Sequence, residues 1–288
     1  MIVDAAAPTV DAHHHFWDPG RADYPWMTDG LAAIRRPFGP ADLRPLIDHA
    51  RIDRTVLVQT RSSLDETCEF LATAVDARFV AGVVGWTDLT DAGVSDAIDQ
   101  LRSGRGGDRL VGIRHQVHDE ADPDWLCRPN VRHGIEAVGK AGLAFDLLVR
   151  ARELPAALDT VRALPDVPFV VDHIAKPPIA TAELEPWAER ISAIAALPNV
   201  CCKLSGMVTE ADWSRWTIDD LRPYVDVALE GFGPGRLLFG SDWPVCLLAA
   251  DYERVVQTAR QLLADLSPSE QADVFGRNAT RFYALPPA

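Results

Sequence analysis

Residues 54–89 read RTVLVQTRSSLDETCEFLATAVDARFVAGVVGWTDL. The stretch opens on an apolar run, RTVLVQT (54–60), and closes on another, FVAGVVGWTDL (79–89). Neither shows a sustained polar alternation. Runs of this kind are expected for parallel strands covered on both faces. Between them lies SLDETCEFLATAVDA (63–77), with Ser63 as a candidate helix cap and Glu66 three residues on. The unit is strand, helix, strand.

The unit recurs along the chain. Further strand candidates are TVDAHHHFW (9–17), LVGIRHQVH (110–118), LAFDLLV (143–149), PFVVDHI (168–174), VCCKLSG (200–206) and RLLFGSDWP (236–244). Helical stretches include ADLRPLIDHARI (41–52), DAGVSDAIDQLRSG (91–104) and ELPAALDTVRALP (153–165). Eight alternations over 288 residues give an average period of about 36. The simplest closed object is a (β/α)8 TIM barrel, one α/β domain over residues 1–288. An open doubly wound sheet is the rival, but no G-x-G-x-x-G follows the first strand. The one long irregular segment, GRADYPWMTDGLAAIRRPFGP (20–40), comes after that strand. On a barrel, an insertion at about 18–42 is a lid or a pocket wall at the catalytic face.

Composition narrows the function. Apolar residues make up 48% and charged residues 24%, enough for a large core. The net charge of −14 repels nucleic acid and anionic membrane surfaces, so neither is an expected partner. No apolar stretch reaches the roughly 18 residues of a membrane span. Five cysteines, an odd number without C-x-x-C spacing, argue against a disulfide framework and a structural zinc module. The opening MIVDAAAPTVDAHHH has no basic region followed by an apolar core. A cytoplasmic protein fits these features; an oligomer is compatible with them.

The chemistry concentrates at strand ends. In VDAHHHFWD (10–18), His13 and His15 point to one face of a strand and His14 to the other. Two imidazoles at this spacing can share a divalent ion or form a hydrogen-bonded polar cluster. The sixth strand ends on His173, flanked by Asp172; a core histidine is the alternative. The eighth ends on Asp242, which could also cap the turn that follows. The fourth carries Arg114, which needs either a structural carboxylate or an oxygen of the substrate. In a barrel these strand ends face a common cavity. Imidazoles that hold an ion, beside a carboxylate that takes a proton from water, are the composition of a hydrolytic site.

The same blocks resemble a known family. H-x-H ending strand one, His ending strand six and Asp ending strand eight are similar to the amidohydrolase superfamily. DAHHHFWDP, YPW, GIRHQVHDEADPDWL, GLAFDLLVRARELPAAL, FVVDHIAKPPI, LPNVCCKLSGMVTEADW, FGPGRLLFGSDWPVC and NATRFYAL narrow the likeness. They resemble the amidohydrolase-2 branch, and within it the L-fuconolactonase- and L-rhamnonolactonase-like sugar lactonases.

The resemblance implies a cytoplasmic lactonase of carbohydrate catabolism that opens a sugar lactone with an activated water. It maps the metal ligands to His13, His15 and Asp242, and the strand-six histidine to His173. Asp242 is then the general base, and later the donor to the leaving oxygen. Carbonyl polarisation falls to one divalent ion, zinc foremost, or, in a metal-free enzyme, to His173 and Arg114. Strand five lacks a histidine and strand four lacks a lysine that could bridge two metals, so one metal is the ceiling. Trp26, Trp86, Asp146 and Lys203 are candidates for binding the sugar, with Trp17 and Trp243 also near strand ends.

Two other functions compete on the same barrel: hydrolysis of a carboxylated lactone from aromatic degradation, and metal-dependent decarboxylation. A dicarboxylate substrate calls for two or more cations in the mouth, a sugar lactone for fewer. The sequence offers Arg114, with Arg61 and Lys176 from loops. A non-catalytic binding barrel is the third alternative.

Overall fold

The computed structural model describes residues 8–286, so residues 1–7 and 287–288, with the part of the single-domain and leader readings that falls on them, lie outside the described residues. Eight strands form one parallel sheet in the order of the sequence: β1 (Val10–His14), β2 (Arg54–Val58), β3 (Val80–Gly85), β4 (Leu110–His115), β5 (Ala144–Leu147), β6 (Phe169–Val171), β7 (Val200–Leu204) and β8 (Leu237–Phe239). The first and last strands meet just beyond their ends. The His15 amide donates to the Trp243 carbonyl (2.7 Å) and the Asp242 amide to the His13 carbonyl (2.8 Å). The expected (β/α)8 TIM barrel is the fold.

Helices between the strands cover the outside. They are α1 (Pro40–Ala50), α2 (Leu64–Asp76), α3 (Val94–Ser103), α4 (Pro129–Lys140), α5 (Leu154–Ala163), α6 (Trp187–Ala195), the single turn α7 (Met207–Glu210), α8 (Ile218–Phe232) and α9 (Tyr252–Leu262). Their starts follow local chemistry. The Ser63 hydroxyl accepts from the Glu66 amide at 3.2 Å, capping α2 as its sequence predicts. Glu66 does not reach back to complete a capping box; its carboxylate instead takes the amides of Thr60 (2.7 Å) and Arg61 (2.9 Å), tying α2 to the end of β2.

Every strand is shorter than its apolar run. β6 stops at Val171, and β8 at Phe239. Beyond β6 the backbone turns left-handed for four residues, His173, Ile174, Ala175 and Lys176, at φ of 53°, 45°, 60° and 48°. Such residues cost about 1–2 kcal/mol each. The Trp187 indole holds the turn by donating to the Ile174 carbonyl at 2.7 Å. Asp242 also lies at positive φ (58°). These turns swing side chains off the strand axes and over the barrel mouth, which a period-two pattern does not encode.

The barrel interior is a separate cluster from the helix-covered core. Val10, Ala12, Val56, Val58, Ala81, Val84, Ala144, Val170 and Leu238 pack there with Ala279, Tyr283 and Leu285. Two short helices, α10 (Pro268–Ala272) and α11 (Asn278–Phe282), precede the end of the chain described; Ala279 lies in α11, and Tyr283 and Leu285 follow it. They plug the end of the barrel away from the mouth. Gly82 makes room: a Cβ there would lie 2.9 Å from a Leu285 methyl. Among the described residues, no helix is long and apolar enough to cross a membrane.

Candidate active site

The mouth holds a cavity of about 380 Å³. At its floor three donor atoms converge. His13 Nε2 and His15 Nε2 lie 3.2 Å apart. Asp242 Oδ1 is 3.4 Å from His15 Nε2 and 3.9 Å from His13 Nε2. A register irregularity in β1 between Asp11 and His14 goes with this arrangement. His14 turns away and hydrogen-bonds Thr55 Oγ1 (2.8 Å). His15 Nδ1 donates to the Val58 carbonyl (2.8 Å), which leaves its Nε2 lone pair for the site.

These atoms fit a metal. Nitrogen and oxygen ligands at about 2.0–2.1 Å around a tetrahedral zinc stand roughly 3.3–3.4 Å from each other. Two sides of the triangle of His13, His15 and Asp242, at 3.2 and 3.4 Å, are close to that size and the third is longer at 3.9 Å; two of its three residues line the cavity, where a fourth ligand would enter. A second carboxylate–imidazole cluster, His13, Asp172 and His173, already contains a cation. Lys203 Nζ sits 2.9 Å from Asp172 Oδ1 and 3.2 Å from His13 Nδ1.

His173 flanks the triangle, its Nε2 3.8 Å from Asp242 Oδ1. Its Nδ1 bonds the Ser205 hydroxyl at 2.8 Å. Gly206 lies against the ring; a Cβ at its φ of 64° would fall 2.6 Å from His173 Nδ1. Burial is the main reason that the His173 pKa drops to about 4, despite the opposing pull of Asp242. Burial also takes His13 well below the usual histidine range. For Asp242, burial works to raise the pKa, but His173 and His15 outweigh it and leave the carboxyl below its ordinary value. At neutral pH the Asp242 carboxylate therefore stands beside the neutral imidazoles of His13 and His173.

Arg114 borders the cavity, yet its donors are taken. Nε and NH2 reach Gln59 Oε1 (3.2 and 2.9 Å), and NH2 also bonds the Gln59 carbonyl. NH1 pairs with Asp172 Oδ2 (3.0 Å) and faces His13 Nε2 (3.2 Å). Of the two partners weighed for this arginine, the structure supplies the carboxylate.

The sugar-binding candidates part ways. Trp26, from the irregular segment, is in the cavity wall with Leu31. The ends of that segment are stitched by a Trp17–Phe38 backbone pair (3.1 and 2.9 Å), and Trp17 packs edge-on against Trp26. Trp86 instead donates to His115 Nδ1 (3.1 Å), and Trp243 is buried against Phe16 and Phe38. Asp146 and Lys203 are fully buried and pair with each other at 2.6 Å, beneath the cavity rather than in its wall. Lys176 is in the wall, joined to Glu210; Arg61 lies elsewhere, with Glu66.

Several wall residues escaped the sequence reading: Thr60, Gln116, His118, Asp119, Arg150 and Trp213. His118 and Asp119 fall in a turn after β4, where a longer strand was expected. Burial, followed by the nearby Lys176 and Arg150, lowers the His118 pKa to about 3. Gln59 and Asp172, which fix Arg114, carried a signal: each is a polar residue immediately after an apolar strand run.

Comparison with known proteins gives a consistent picture. A family model described as amidohydrolase matches residues 10–285. An L-fucono-1,5-lactonase of Burkholderia ambifaria is 41% identical over 96% of this chain and 95% of its own. One of Burkholderia multivorans is 39% identical, covering 96% of both chains. A crystal structure of an amidohydrolase from Burkholderia multivorans with bound zinc superimposes at a TM-score of 0.93, with 37% identity over 97% of this chain and all of that one.

Proposed function

The chain belongs to the amidohydrolase family, and from that premise we propose that it is a lactonase that opens a sugar lactone by hydrolysis, with L-fucono-1,5-lactone the first substrate to test. The observation that carries the reading is the convergence of His13, His15 and Asp242 on one cavity, in a chain 41% identical to an L-fucono-1,5-lactonase along nearly its whole length.

The residues divide the work. Asp242, ionised at neutral pH, takes a proton from the attacking water. The water oxygen bonds to the carbonyl carbon and forms a tetrahedral oxyanion. The ring C–O bond then breaks, Asp242 returns the proton to the leaving oxygen, and a sugar acid is released. Neutral His173 beside Asp242 donates a hydrogen bond to the oxyanion. A donor so placed contributes about 3–4 kcal/mol. A zinc ion held by His13, His15 and Asp242 would polarise the carbonyl and acidify water. Arg114, with its donors on Gln59, Asp172 and His13, keeps the floor in place. Trp26 offers a face to the sugar ring, and Thr60 and Gln116 offer partners for its hydroxyls.

We place the enzyme in a reducing cytoplasm, which suits its five free cysteines.

The test is acid release from L-fucono-1,5-lactone, an L-rhamnono-lactone and a carboxylated lactone, with metal content measured on the same protein. Turnover of the sugar lactones by the parent and its loss in Asp242→Asn is the expected result. Turnover of the carboxylated lactone alone would overturn the proposal.

A further inference from the structure

The site rests on a buried line of polar groups that crosses the barrel. It starts at Tyr283 in the plug, whose hydroxyl donates to Asp146 Oδ2 at 2.8 Å. The same oxygen takes Lys203 Nζ at 2.6 Å. Lys203 reaches Asp172 Oδ1 at 2.9 Å, and that oxygen is 3.4 Å from His13 Nδ1. Tyr283 is 3% exposed, and Asp146, Lys203, Asp172 and His13 are all at 0%. Groups buried this deeply are not screened by water, so each link constrains the next.

The line has one point of competition. His13 Nδ1 faces an acceptor, Asp172 Oδ1 at 3.4 Å, and a donor, Lys203 Nζ at 3.2 Å. If Nδ1 carries the proton toward Asp172, the Nε2 lone pair faces His15, Asp242 and the Arg114 NH1 donor. If Lys203 donates to Nδ1, the proton moves to Nε2 and the lone pair leaves the floor. Arg114 NH1, 3.2 Å from Nε2, favours the first form, and the ammonium leaves that form in place only while its hydrogens stay on the carboxylates. Lysine is a flexible four-carbon stem, so its head stays on the two carboxylates only while both are fixed. Asp172 is fixed by Arg114. Asp146 has no hydrogen-bond partner at Oδ1, so both its contacts are at Oδ2, and the Tyr283 hydroxyl is one of them.

We propose that Tyr283 is a positioning residue for the reaction: its hydroxyl holds Asp146, Asp146 holds Lys203, and the ammonium so held leaves His13 in the form that presents Nε2 to the active site. Burial and the neighbouring Asp146 push the Tyr283 phenol far above its usual range, which keeps it a donor. The effect on turnover rests on the lactonase reading above; the effect on the histidine does not.

Tyr283→Phe removes the hydroxyl and keeps the ring that fills the barrel. The readouts are the 15N spectrum of the full-length, histidine-labelled protein without added metal, and kcat and KM on L-fucono-1,5-lactone. A His13→Gln variant identifies the His13 resonances. The parent is expected to show His13 protonated at Nδ1, and Tyr283→Phe to move it toward the Nε2-protonated form. With that shift, kcat falls about tenfold while KM changes less than twofold, as expected for a partner acting through a site histidine. Leu285→Ala is the control: it loosens the same plug, lowers the melting temperature, and leaves the His13 spectrum and kcat unchanged. A parental His13 spectrum in Tyr283→Phe overturns the proposal, and so does an equal shift in Leu285→Ala. If the phenylalanine variant does not fold, Asp146→Asn breaks the line one step closer and is held to the same outcomes. An inactive parent with the expected histidine spectra would sink the lactonase reading and leave this one standing.

Discussion

The mouth of the barrel and its plugged end are made of opposite materials. At the plug, valine, alanine and leucine side chains fill the interior around Tyr283 and Leu285, and regular strands run straight into it. At the mouth, the strands give way to left-handed turns and to ionisable side chains, four of them at 5% exposure or less: His13, His15, His173 and Asp242. The plug gains stability from every methyl group it buries. The mouth spends stability on strained backbone and desolvated charge so that its groups are poised for chemistry. One molecule thus separates a region where substitution should unfold it from one where substitution should silence it.

Five experiments press on that separation, and the largest effect belongs to Asp242→Asn. It should lower kcat by about 10³-fold with the melting temperature nearly unchanged, because a general base is lost and a buried charge is removed. A large loss of stability instead would show the mouth to be structural. Lys203→Met comes next, measured by denaturant unfolding. It leaves Asp146 buried without a cation and Asp172 with Arg114 alone, and should cost about 3–5 kcal/mol. This residue lies between the two regions, so activity should fall as well.

Third is acid. His14, His118 and His173 titrate at about 3, 3 and 4 in the folded chain, so between pH 6.5 and 4 the unfolded chain binds protons that the folded one refuses. Asp11 and Asp146, raised to about 6 chiefly by burial, act in the opposite sense over the same range. His13, also held well below its usual range, makes four histidines against two carboxyls and leaves about two net protons, so stability should fall by about 2.7 kcal/mol per pH unit on acidification. Stability that is flat or rises from pH 6 to 4 would show that the mouth is not kept neutral by burial.

Smaller effects follow. Trp26→Ala should raise KM about tenfold and leave kcat within a factor of two, if the irregular segment binds rather than reacts. Ser63→Ala, remote from both regions, should cost about 1 kcal/mol by thermal unfolding and change no kinetic constant.

The barrel was legible because parallel strands buried on both faces leave uninterrupted apolar runs, as in RTVLVQT. His13, His15 and Asp242 were legible because each ends such a run. Asp146 and Lys203 show where that logic stops. A polar residue within a strand says that it points into the barrel, not how deep it lies or what meets it there. Tyr283 reaches Asp146 from 137 positions further along the chain, and Asp172 meets Lys203 from 31 positions before it. Arg114 was rightly read as needing an oxygen, but only the fold distinguishes Asp172 from a ligand. The wall residues His118 and Arg150 stand on turns, where no periodicity marks an inward side chain.

The plug has a bearing on how the barrel closes. Residues 279–285 complete an interior that the strands leave hollow, and they follow all eight strands in the sequence. Until they dock, the strands surround an unfilled bore. The barrel is thus complete only once this segment is in place, and a protease that trims it would empty the centre of the molecule and take Tyr283 from beneath the mouth.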